Sequence, residues 1–502
     1  MLHKIPTPSQ IPVIDLALDT IKKGKQALVF VNTKRSAEKT AEDISKALRE
    51  TNPEWTKLSN QLLNVLAAPT SQCERLSKCA VKGVVFHHAG LTHKQKEIIE
   101  DNFRNGTIKI IACTPTLAAG LDLPAFRTIL KDLKRFGLRG LSHIPVLEYN
   151  QMAGRAGRPK YDSFGEAISI AQSDGEKEKI TEMYIQGEPE EIYSKLAVEP
   201  VLRTYVLSLI ASGVVKTHDQ LVDFFSKTFW AFQYKDLSRM EMIIDKMIEL
   251  LEEWEFLKDM NATILGKRVA ELYIDPYTAH YFLECLQRAT KKPVNAFSFL
   301  QMISHTLEMR PLLSVRVKEA DDIQEKLNFY TDNLIDPEPN LYDPDYEEYL
   351  STVKTALFFH DWIEERNEEY LLEKYNIRPG ETRAKLDIAD WLLYTAEELA
   401  KLQQFRTLVN ELVKLRVRLE YGAKEELMPL LKLKGIGRVR GRKLFNNGIR
   451  TLGDVKKAEL VTLGQLIGKN VAEDLKKQLG EKTIEVKPNK RKGQIALEDY
   501  GE

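Results

Sequence analysis

Three apolar runs mark the first part of the chain, and each of them ends in polar or glycine-containing residues. The runs lie within residues 26–37, 83–92 and 108–124. Near-continuous apolar runs are typical of strands in a parallel sheet that is buried on both faces. Open sheets of this kind bind ligands at the carboxyl ends of their strands. Strand and helix patterns alternate as far as about residue 190, so the sequence predicts one α/β domain over residues 1–190.

Beyond this domain the strand patterns nearly vanish and helical patterns dominate. Three helical patterns, a short hairpin signal and a further helix predict a winged helix over residues 191–276. Long amphipathic segments predict a helical domain over 277–420, in which the acidic stretch 332–348 is expected to be a solvated connection. A glycine-rich basic segment predicts a DNA-binding domain over 421–480, and the polar residues 481–502 predict a flexible tail.

The composition indicates the cellular compartment of the protein but does not identify its binding partner. The 502 residues are 43% hydrophobic, enough for several packed domains, and their formal net charge is zero, so any nucleic-acid-binding surface must be local. The four cysteines (Cys73, Cys79, Cys113 and Cys285) show no metal or disulfide spacing, which fits a reducing cytoplasm. No apolar run approaches the length of about 18 residues that a membrane span requires. A cytoplasmic protein without membrane contact is therefore expected.

The most specific segment is Gln151–Arg158, in which two arginines stand three residues apart among small residues. A glycine before each arginine allows a close approach to a bulky anion. If the segment is helical, Arg155 and Arg158 point the same way, and paired guanidiniums are well suited to clamp a phosphate group. The plainer alternative is a basic turn on the surface.

The apolar runs and the arginine segment, in this order, resemble motifs IV, IVa, V and VI of superfamily II helicases. Residues 112–159 resemble the Ski-type branch of that superfamily, and within this branch they are most similar to archaeal Hjm-type DNA helicases. The resemblance extends over almost the whole chain. It implies an α/β RecA-like domain over 1–190, followed by mainly α domains: a winged helix, a helical ratchet bundle and a helix-hairpin-helix domain.

The resemblance also implies a nucleotide site whose cofactors are ATP and Mg²⁺. Arg155 and Arg158 would steady the charge that develops on the γ-phosphate, as arginine fingers do. Gln151 would contact the nucleotide or a water, its plainer role being a local hydrogen bond. Gly120 and Asp122, in motif V, would contact the nucleotide ribose, although the family more often has Asn than Asp at the second position.

Two motifs of such helicases are absent from the sequence. It contains no Gly-x-x-x-x-Gly-Lys-Ser/Thr and no Asp-Glu-x-His after a strand. In the family both belong to a first RecA-like domain, which cradles the nucleotide and holds Mg²⁺. The chain is therefore interpreted as the C-terminal part of a helicase, with the missing first RecA-like domain as a partner, and it is expected to be inactive on its own. No metal ligands are predicted within it.

The polar residues at the predicted strand ends are candidates for contact with DNA phosphates through side-chain and backbone donors. They are Thr33, Lys34, Arg35, His88, Gly90, Thr114 and Thr116. For His88 a structural role is as well supported as DNA contact.

Residues 127–143 contain a hairpin signal around Gly137 and Gly140. By resemblance this hairpin is the pin that separates the strands, with Phe136 and Arg139 near its tip. The alternative is a loop that covers the edge of the domain.

Residues 383–394 resemble the ratchet helix of the family. Leu386, Ala389 and Leu393 belong to a stripe with core spacing, whereas Arg383 and Trp391 fall roughly on the other side. An exposed Trp can stack on a base, and the resemblance favours this role for Trp391. From the sequence alone, a Trp in such a helix is more often part of the core.

Residues 432–457 carry nine basic side chains against one acidic side chain, and the segment 433–443 has a helix-hairpin-helix signature. Its glycine turn offers backbone N–H groups at a helix start, which suits phosphate binding without sequence readout. The residues concerned are Gly435, Gly437, Arg438, Arg440, Arg442 and Lys443. In the tail, Gln494, Leu497 and Tyr500 resemble a sliding-clamp-binding peptide, a pattern that often arises by chance.

The sequence is therefore interpreted as the C-terminal part of an ATP-dependent 3′-to-5′ DNA helicase, whose partners are single-stranded and branched DNA in repair and replication restart. Polarity and substrate come from the resemblance. One alternative is a nonenzymatic DNA-binding or regulatory remnant of a helicase. Another is part of a Ski-type RNA helicase, against which the helix-hairpin-helix signature favours DNA.

Overall fold

A computed structural model describes residues 5–66, 68–120, 123–137, 140–158 and 162–480. It contains nine strands, whose bounds are β1 Ala27–Phe30, β2 Val84–His87, β3 Ile110–Cys113, β4 Arg127–Leu130, β5 Lys134–Gly137, β6 Gly140–His143, β7 Glu166–Ser169, β8 Leu257–Lys258 and β9 Asn261–Ala262.

The helices that precede residue 190 surround the first sheet. They are α1 Pro12–Lys22, α2 Lys34–Ala47, α3 Pro53–Leu63, α4 Ser71–Ala80, α5 His93–Arg104, α6 Thr116–Gly120, α7 Val146–Ala153 and α8 Asp174–Ile180, the last of which continues into a π turn at Thr181–Ile185.

The helices beyond residue 190 form the rest of the molecule. Those up to residue 289 are α9 Glu199–Ala211, α10 His218–Ser226, α11 Phe229–Tyr234, α12 Leu237–Glu253, α13 Ile264–Glu271 and α14 Pro276–Ala289. Those up to residue 421 are α15 Ala296–Ser304, α16 Ala320–Asn328, α17 Tyr346–Ile363, α18 Glu368–Tyr375, α19 Pro379–Leu402 and α20 Arg406–Tyr421, with short 3₁₀ turns at Val317–Glu319 and Thr331–Asn333. The last are α21 Met428–Leu431, α22 Arg438–Asn446, α23 Leu452–Lys457, α24 Leu460–Ile467 and α25 Lys469–Gln478, preceded by a 3₁₀ turn at Glu425–Leu427.

The first domain is built on a five-stranded parallel sheet in the order β2-β3-β1-β4-β7. Strands β1 to β4 are buried along their whole length, which explains the apolar runs of β1, β2 and β3. Strand β4 instead begins with the buried polar residues Arg127 and Thr128. Phe30 and His87 both pair with Cys113, so β1, β2 and β3 end level with one another. The predicted parallel α/β domain is confirmed. The carboxyl ends of these three strands form one surface, which we call the carboxyl edge.

One hydrophobic core runs through the predicted winged helix and the predicted helical domain. Its fully buried members extend from Leu202 on α9 to Leu419 on α20. The hairpin β8–β9 follows α12 and leads into α13, as the winged-helix pattern predicts, although four helices precede the hairpin instead of three. The predicted boundary after residue 276 therefore separates two motifs that share a core.

The acidic stretch after residue 332 is anchored in that core, which corrects the expectation of a solvated connection. Leu334 and Ile335 are buried. Next to them the carboxylate of Asp336 accepts a hydrogen bond from Arg288 Nη2 at 3.1 Å, and Tyr346 donates to Glu338 at 2.6 Å. Between these two anchors, every side chain from 340 to 345 is exposed.

The C-terminal domain has a small core of its own, centred on Leu444, Leu463 and Leu475. A glycine turn joins α21 to α22: Gly435 has a φ of +84°, which favours glycine, and Gly437 directly precedes α22. The local geometry is a short helix, a turn and a helix. Its assignment to the helix-hairpin-helix class stays a prediction.

The first domain meets the helical domain where residues 88–91 contact residues 378–381, a contact we call the α19 junction. Gly380 N donates to the carbonyl of Gly90 at 3.1 Å. A Cβ atom on Gly380 would lie 2.1 Å from the carbonyl oxygen of Leu91, closer than atoms of two backbones can approach. Glycine at position 380 thus permits the start of α19 to rest directly on the carboxyl edge.

We expect Gly380→Ala to destabilise the α19 junction by about 1–3 kcal/mol, because the added methyl group forces two backbones apart. The denaturant midpoint of the full chain measures the loss. Gly175→Ala is the matched control, because Gly175 also lies in the first turn of a helix and has open space around its Cβ position. Equal midpoints for the two variants would contradict the close packing at Gly380.

Candidate nucleic-acid and nucleotide sites

The carboxyl edge presents exposed hydroxyl and basic groups. Thr33 caps α2, its hydroxyl accepting a hydrogen bond from Ser36 N at 3.0 Å, and both Thr33 and Arg35 are exposed. Thr116 is exposed at the start of α6, 3.0 Å from the mostly buried hydroxyl of Thr114. The structure therefore brings these four predicted DNA contacts to one surface.

The other three candidates at this edge are used within the protein. His88 is completely buried, stacks on Phe86 with ring centroids 5.4 Å apart, and accepts a hydrogen bond from Gly90 N at 3.1 Å. Gly90 is buried at the α19 junction, and Lys34 is paired with Glu381 of α19. Direct DNA contact by the His88 side chain is thus contradicted, because no part of the ring reaches the surface.

A single buried carboxylate connects these elements. The Glu38 side chain on α2 is 3% exposed and lies 2.6 Å from Arg75 Nη1, 2.9 Å from Arg378 Nε and 3.2 Å from His88 Nε2. Burial by itself would raise the pKa of Glu38, but His88 and Arg378 outweigh it and lower this pKa to about 2. Glu38 therefore remains ionised and holds the helical domain through Arg378.

Glu38 and Arg378 escaped the sequence analysis, although one signal was present. Glu38 is a charged residue directly after the buried Ala37 and three residues before the buried Ala41, on the apolar face of α2. A charge in such a position requires a partner. The sequence gives no indication that the partner lies 340 positions away.

The arginine segment is helical only as far as Ala153, which corrects the assumption that both guanidiniums point the same way. Helix α7 ends at Ala153, and Gly157 has a φ of +93°. Residues 155–157 run beside Ala125 instead: Ala125 N donates to the Arg155 carbonyl at 2.9 Å, and Gly157 N donates to the Ala125 carbonyl at 2.6 Å. The segment therefore lies just before β4, at the opposite end of the sheet from the carboxyl edge.

The two arginines bind different elements in the structure. Arg155 Nε donates to the carbonyl of Ala118 on α6 at 3.1 Å. Arg158 donates to Gln26 Oε1 at 2.7 Å and to the carboxylate of Asp162 at 2.8 Å. The hydrogen bond from Arg158 lowers the pKa of Asp162 to about 2, and Lys25 adds to this effect. Asp162 thus orients Arg158 as a fixed cation.

The other residues predicted to contact the nucleotide are Gln151, Gly120 and Asp122. Gln151 is exposed on α7, whose first two N–H groups donate to the Glu190 carboxylate at 2.6 and 3.2 Å. Glu190 thereby fixes the start of the helix that leads to Arg155. Gly120 ends α6, and Asp122 lies outside the described residues.

The predicted hairpin is confirmed as a pair of antiparallel strands, β5 and β6. Phe136 belongs to β5 and pairs with Leu141, while Arg139 lies outside the described residues. Arg135 Nη1 binds Glu148 on α7 at 2.8 Å, so the base of the hairpin is tied to the arginine-bearing helix.

On α19 the predicted core stripe is confirmed, since Leu386, Ala389 and Leu393 are all buried. Arg383 is exposed and pairs with Asp387 at 3.0 Å. Trp391 is half-buried, and its Nε1–H donates to the carbonyl of Leu272 at 3.0 Å. The indole thus joins α19 to the end of α13, which supports a packing role and leaves the predicted stacking on DNA as a proposal.

The structure divides the basic residues of α22 into two pairs. Arg442 binds Glu365 at 2.6 Å, and Arg438 donates to the carbonyl of Arg366 at 3.0 Å and lies 4.7 Å from the ring centre of Trp362. These two side chains dock the C-terminal domain on the helical domain. Arg440 and Lys443 are exposed, with Arg440 Nη1 donating to the carbonyl of Gly435 at 2.9 Å.

Neither a metal centre nor a membrane span emerges from the part of the chain that the structure describes. No group of three or more His, Cys, Asp or Glu side chains there could hold a metal ion. Likewise, none of the described helices combines the length and the apolar character that crossing a bilayer requires. The clamp-peptide candidates Gln494, Leu497 and Tyr500 lie outside the described residues.

Comparison with known families agrees with the order of these domains. Residues 11–160 match a model described as helicase conserved C-terminal domain, residues 165–258 a helix-turn-helix domain, and residues 297–422 archaeal helicase, domain 4.

Similar curated proteins are named ATP-dependent DNA helicase Hel308. The one from Pyrococcus horikoshii is 38% identical over 96% of this chain and 67% of its own length. The one from Methanococcus vannielii is 36% identical over 94% of this chain and 68% of its own, and the one from Methanocella arvoryzae is 39% identical over 95% and 66%. The chain spans about two thirds of the length of these relatives.

The Glu38 network predicts a pH dependence of stability with a defined sign. The pKa of this carboxyl is about 2 in the folded chain against an ordinary value of 4.5. The stabilisation is therefore complete above about pH 4.5 and is lost as the pH falls toward 2. A difference of about 2.5 pKa units corresponds to about 3 kcal/mol.

Glu38→Gln should remove this part of the acid sensitivity and lower the stability at neutral pH, because it leaves Arg378 without its buried partner. Denaturant midpoints measured from pH 3 to pH 7 provide the comparison. Glu42→Gln is the control, because Glu42 also binds Arg75, at 2.6 Å, but does not reach α19. A Glu38 variant with the same pH profile as the parent chain would contradict the network.

Proposed function

Because the chain belongs to the archaeal Hel308 family of superfamily II helicases, we propose that it is the DNA-engaging part of an ATP-dependent DNA helicase. In this proposal the enzyme moves 3′ to 5′ and opens forked or branched DNA during repair and replication restart, in the cytoplasm. The observation that carries the proposal is the α19 junction. It holds the exposed groups of the carboxyl edge and the exposed Arg383 of α19 in one fixed arrangement.

A single DNA strand would run along this surface. The hydroxyls of Thr33 and Thr116 and the guanidinium of Arg35 would bind successive phosphates, since such groups fix the position of a backbone without reading its sequence. Arg383 would bind the strand beyond the junction, and the partly exposed ring of Trp391 would contact a base. The hairpin β5–β6, with Phe136 and Arg139, would part the two strands ahead of this path.

ATP supplies the free energy of translocation through transfer of its γ-phosphoryl group to water. The residues of this chain that suit the nucleotide are Arg155 and Arg158, which would donate to the γ-phosphate, with Gln151, Gly120 and Asp122 near them. The described residues offer no set of ligands for Mg²⁺. We therefore assign the phosphate loop and the metal ligands to a first RecA-like domain, which would meet this chain at the arginine segment.

The five-residue helix α6 provides a direct link between the two proposed sites. Thr116, at its start, lies on the carboxyl edge, and the carbonyl of Ala118 accepts the hydrogen bond from Arg155. A movement of Arg155 toward a phosphate would break that bond and shift α6, and with it a proposed DNA contact.

A nonenzymatic DNA-binding role is the second candidate, and the lack of a phosphate-loop sequence within the 502 residues favours it. A Ski-type RNA helicase is distinguished by competition of matched RNA and DNA strands for the chain, where we expect DNA to win. Contact with a sliding clamp through Gln494, Leu497 and Tyr500 is a separate proposal that rests on the tail sequence alone.

We expect the purified chain to show no DNA-stimulated ATP hydrolysis, because its sequence contains no phosphate loop and its described residues offer no set of ligands for Mg²⁺. A phosphate-release assay with and without single-stranded DNA measures this. Arg155→Ala is the control for contamination. Turnover that survives purification and disappears in the Arg155 variant would show that the chain contains a complete catalytic site.

We expect the exposed basic pair of α22, Arg440 and Lys443, to contribute to DNA binding, unlike the pair that docks the C-terminal domain. If Arg440 and Lys443 each contact one phosphate of a single strand, their reversal to Glu should reduce the slope of log affinity against log salt by about 1.4. All sequences should weaken about equally. Lys227→Glu, which changes an exposed lysine directly after α10, is the control. An unchanged slope in the double variant would leave these residues as a solvated face.

A further inference from the structure

A pocket of 410 Å³ lies in the helical domain between the ends of α16 and α17 and the side of α18. None of the sites described above includes it. Its size is within the range of pockets that bind small ligands or a single nucleotide unit. Its walls combine aromatic rings with basic side chains, the combination that proteins use for single-stranded nucleic acid.

The aromatic part of the pocket includes one exposed ring, that of Phe329. Phe329, at the end of α16, is 77% exposed, and no aromatic ring stacks on it among the described residues. The adjacent Tyr330 is stacked on Phe297, with ring centroids 4.0 Å apart. Exposure of a large apolar ring beside a rigid aromatic pair costs free energy unless a partner covers it.

The lining of the pocket has more basic than acidic side chains, and one of the basic ones, Lys326, is paired with Asp322 outside the lining at 2.6 Å. Lys326, Arg366, Lys374 and Lys424 face only two acids in the lining, Asp361 and Glu364. Those two acids are already paired, Asp361 with Lys374 at 2.6 Å and Glu364 with Lys424 at 3.3 Å and with Arg418 at 2.9 Å.

Arg366 differs from the other basic residues of the pocket. It is exposed, and no carboxylate lies within ion-pair distance of its guanidinium among the described residues. Its guanidinium carbon lies 5.2 Å from the ring centre of Tyr370, which fixes the side chain at the rim. The Arg366 guanidinium is therefore available to an anion outside the protein.

A histidine supplies polar groups in the wall of the pocket. His360 packs edge-on against Phe297 and Tyr330, and burial lowers its pKa. The neutral imidazole offers one donor and one acceptor, and either suits the polar edge of a nucleobase.

The pocket lies between two segments that the proposed function assigns to DNA. The carbonyl of Arg366 accepts the hydrogen bond from Arg438, which places the rim against the start of α22. Lys374, on the other side, belongs to α18, and the chain passes from α18 into α19 within a few residues. The pocket thus adjoins α18, which leads into the proposed DNA-binding helix α19, and α22, which carries the exposed Arg440 and Lys443.

We propose that the pocket binds one unpaired nucleotide of a single DNA strand, with the base on Phe329 and the flanking phosphate at Arg366 and Lys424. The site rests on the proposed function, since it requires that the chain binds single-stranded DNA. It would hold the strand between α19 and the C-terminal domain without reading the base, because every base has a face that can stack.

The test is the affinity of the full chain for a fluorescent oligothymidylate. Phe329→Ala and Arg366→Ala should each weaken binding, the first by about five-fold to a hundred-fold, the range that loss of one stacked base gives. Tyr342→Ala is the matched control, because this ring is 93% exposed in the neighbouring connection and lines no part of the pocket.

A local readout separates binding in the pocket from a change elsewhere. In a Phe329→Trp variant, oligothymidylate should quench the added tryptophan fluorescence, whereas a Tyr342→Trp variant should show no additional quenching. If the parent chain binds the oligonucleotide but the Phe329 and Arg366 variants match the Tyr342 control, the pocket assignment is wrong and the proposed function stands. If the parent chain fails to bind any single strand, the proposed function and the pocket both fail.

Discussion

The arrangement of this protein depends on one buried carboxylate. Glu38 cannot be ionised in the interior without partners, and the partners it has come from three places: Arg75 on α4, His88 after β2 and Arg378 before α19. Each of these groups stabilises the buried carboxylate, so the elements that carry them are held together. The start of the longest helix is thereby fixed against the end of the parallel sheet, where Gly380 allows the two backbones to touch and Gly90 leaves room for the Arg378 side chain.

The first domain has two separate surfaces at opposite ends of its parallel strands. The carboxyl edge, with Thr33 and Thr116, continues across the α19 junction onto Arg383. The arginine segment lies at the other end of the strands, where Asp162 holds Arg158. The five-residue helix α6 connects the two surfaces. A motor domain requires such a connection, because a change at the nucleotide must reach the nucleic acid.

The sequence predicts the parts whose signals are local. Uninterrupted apolar runs predict the buried strands, the glycines at 137 and 140 predict the hairpin, and the spacing of Leu386, Ala389 and Leu393 predicts the buried face of α19. It fails where a residue's role is set by a distant partner. His88 and Lys34 look like DNA contacts until the helical domain covers them, and Arg438 and Arg442 look like free charges until Trp362 and Glu365 are placed beside them. These contacts join residues that are far apart in the sequence, so local spacing does not predict them.

In the proposed function, one DNA strand lies on both sides of the α19 junction. Photocrosslinking of the full chain to single-stranded oligonucleotides, each with thiothymidine at one position, tests it directly. Mass spectrometry should place adducts of the same oligonucleotide on the carboxyl edge, within 33–35 or 114–116, and on α19 within 383–391, from thymidine positions a few nucleotides apart. Adducts confined to residues 421–480 would contradict the account, because DNA would then be bound by the C-terminal domain alone.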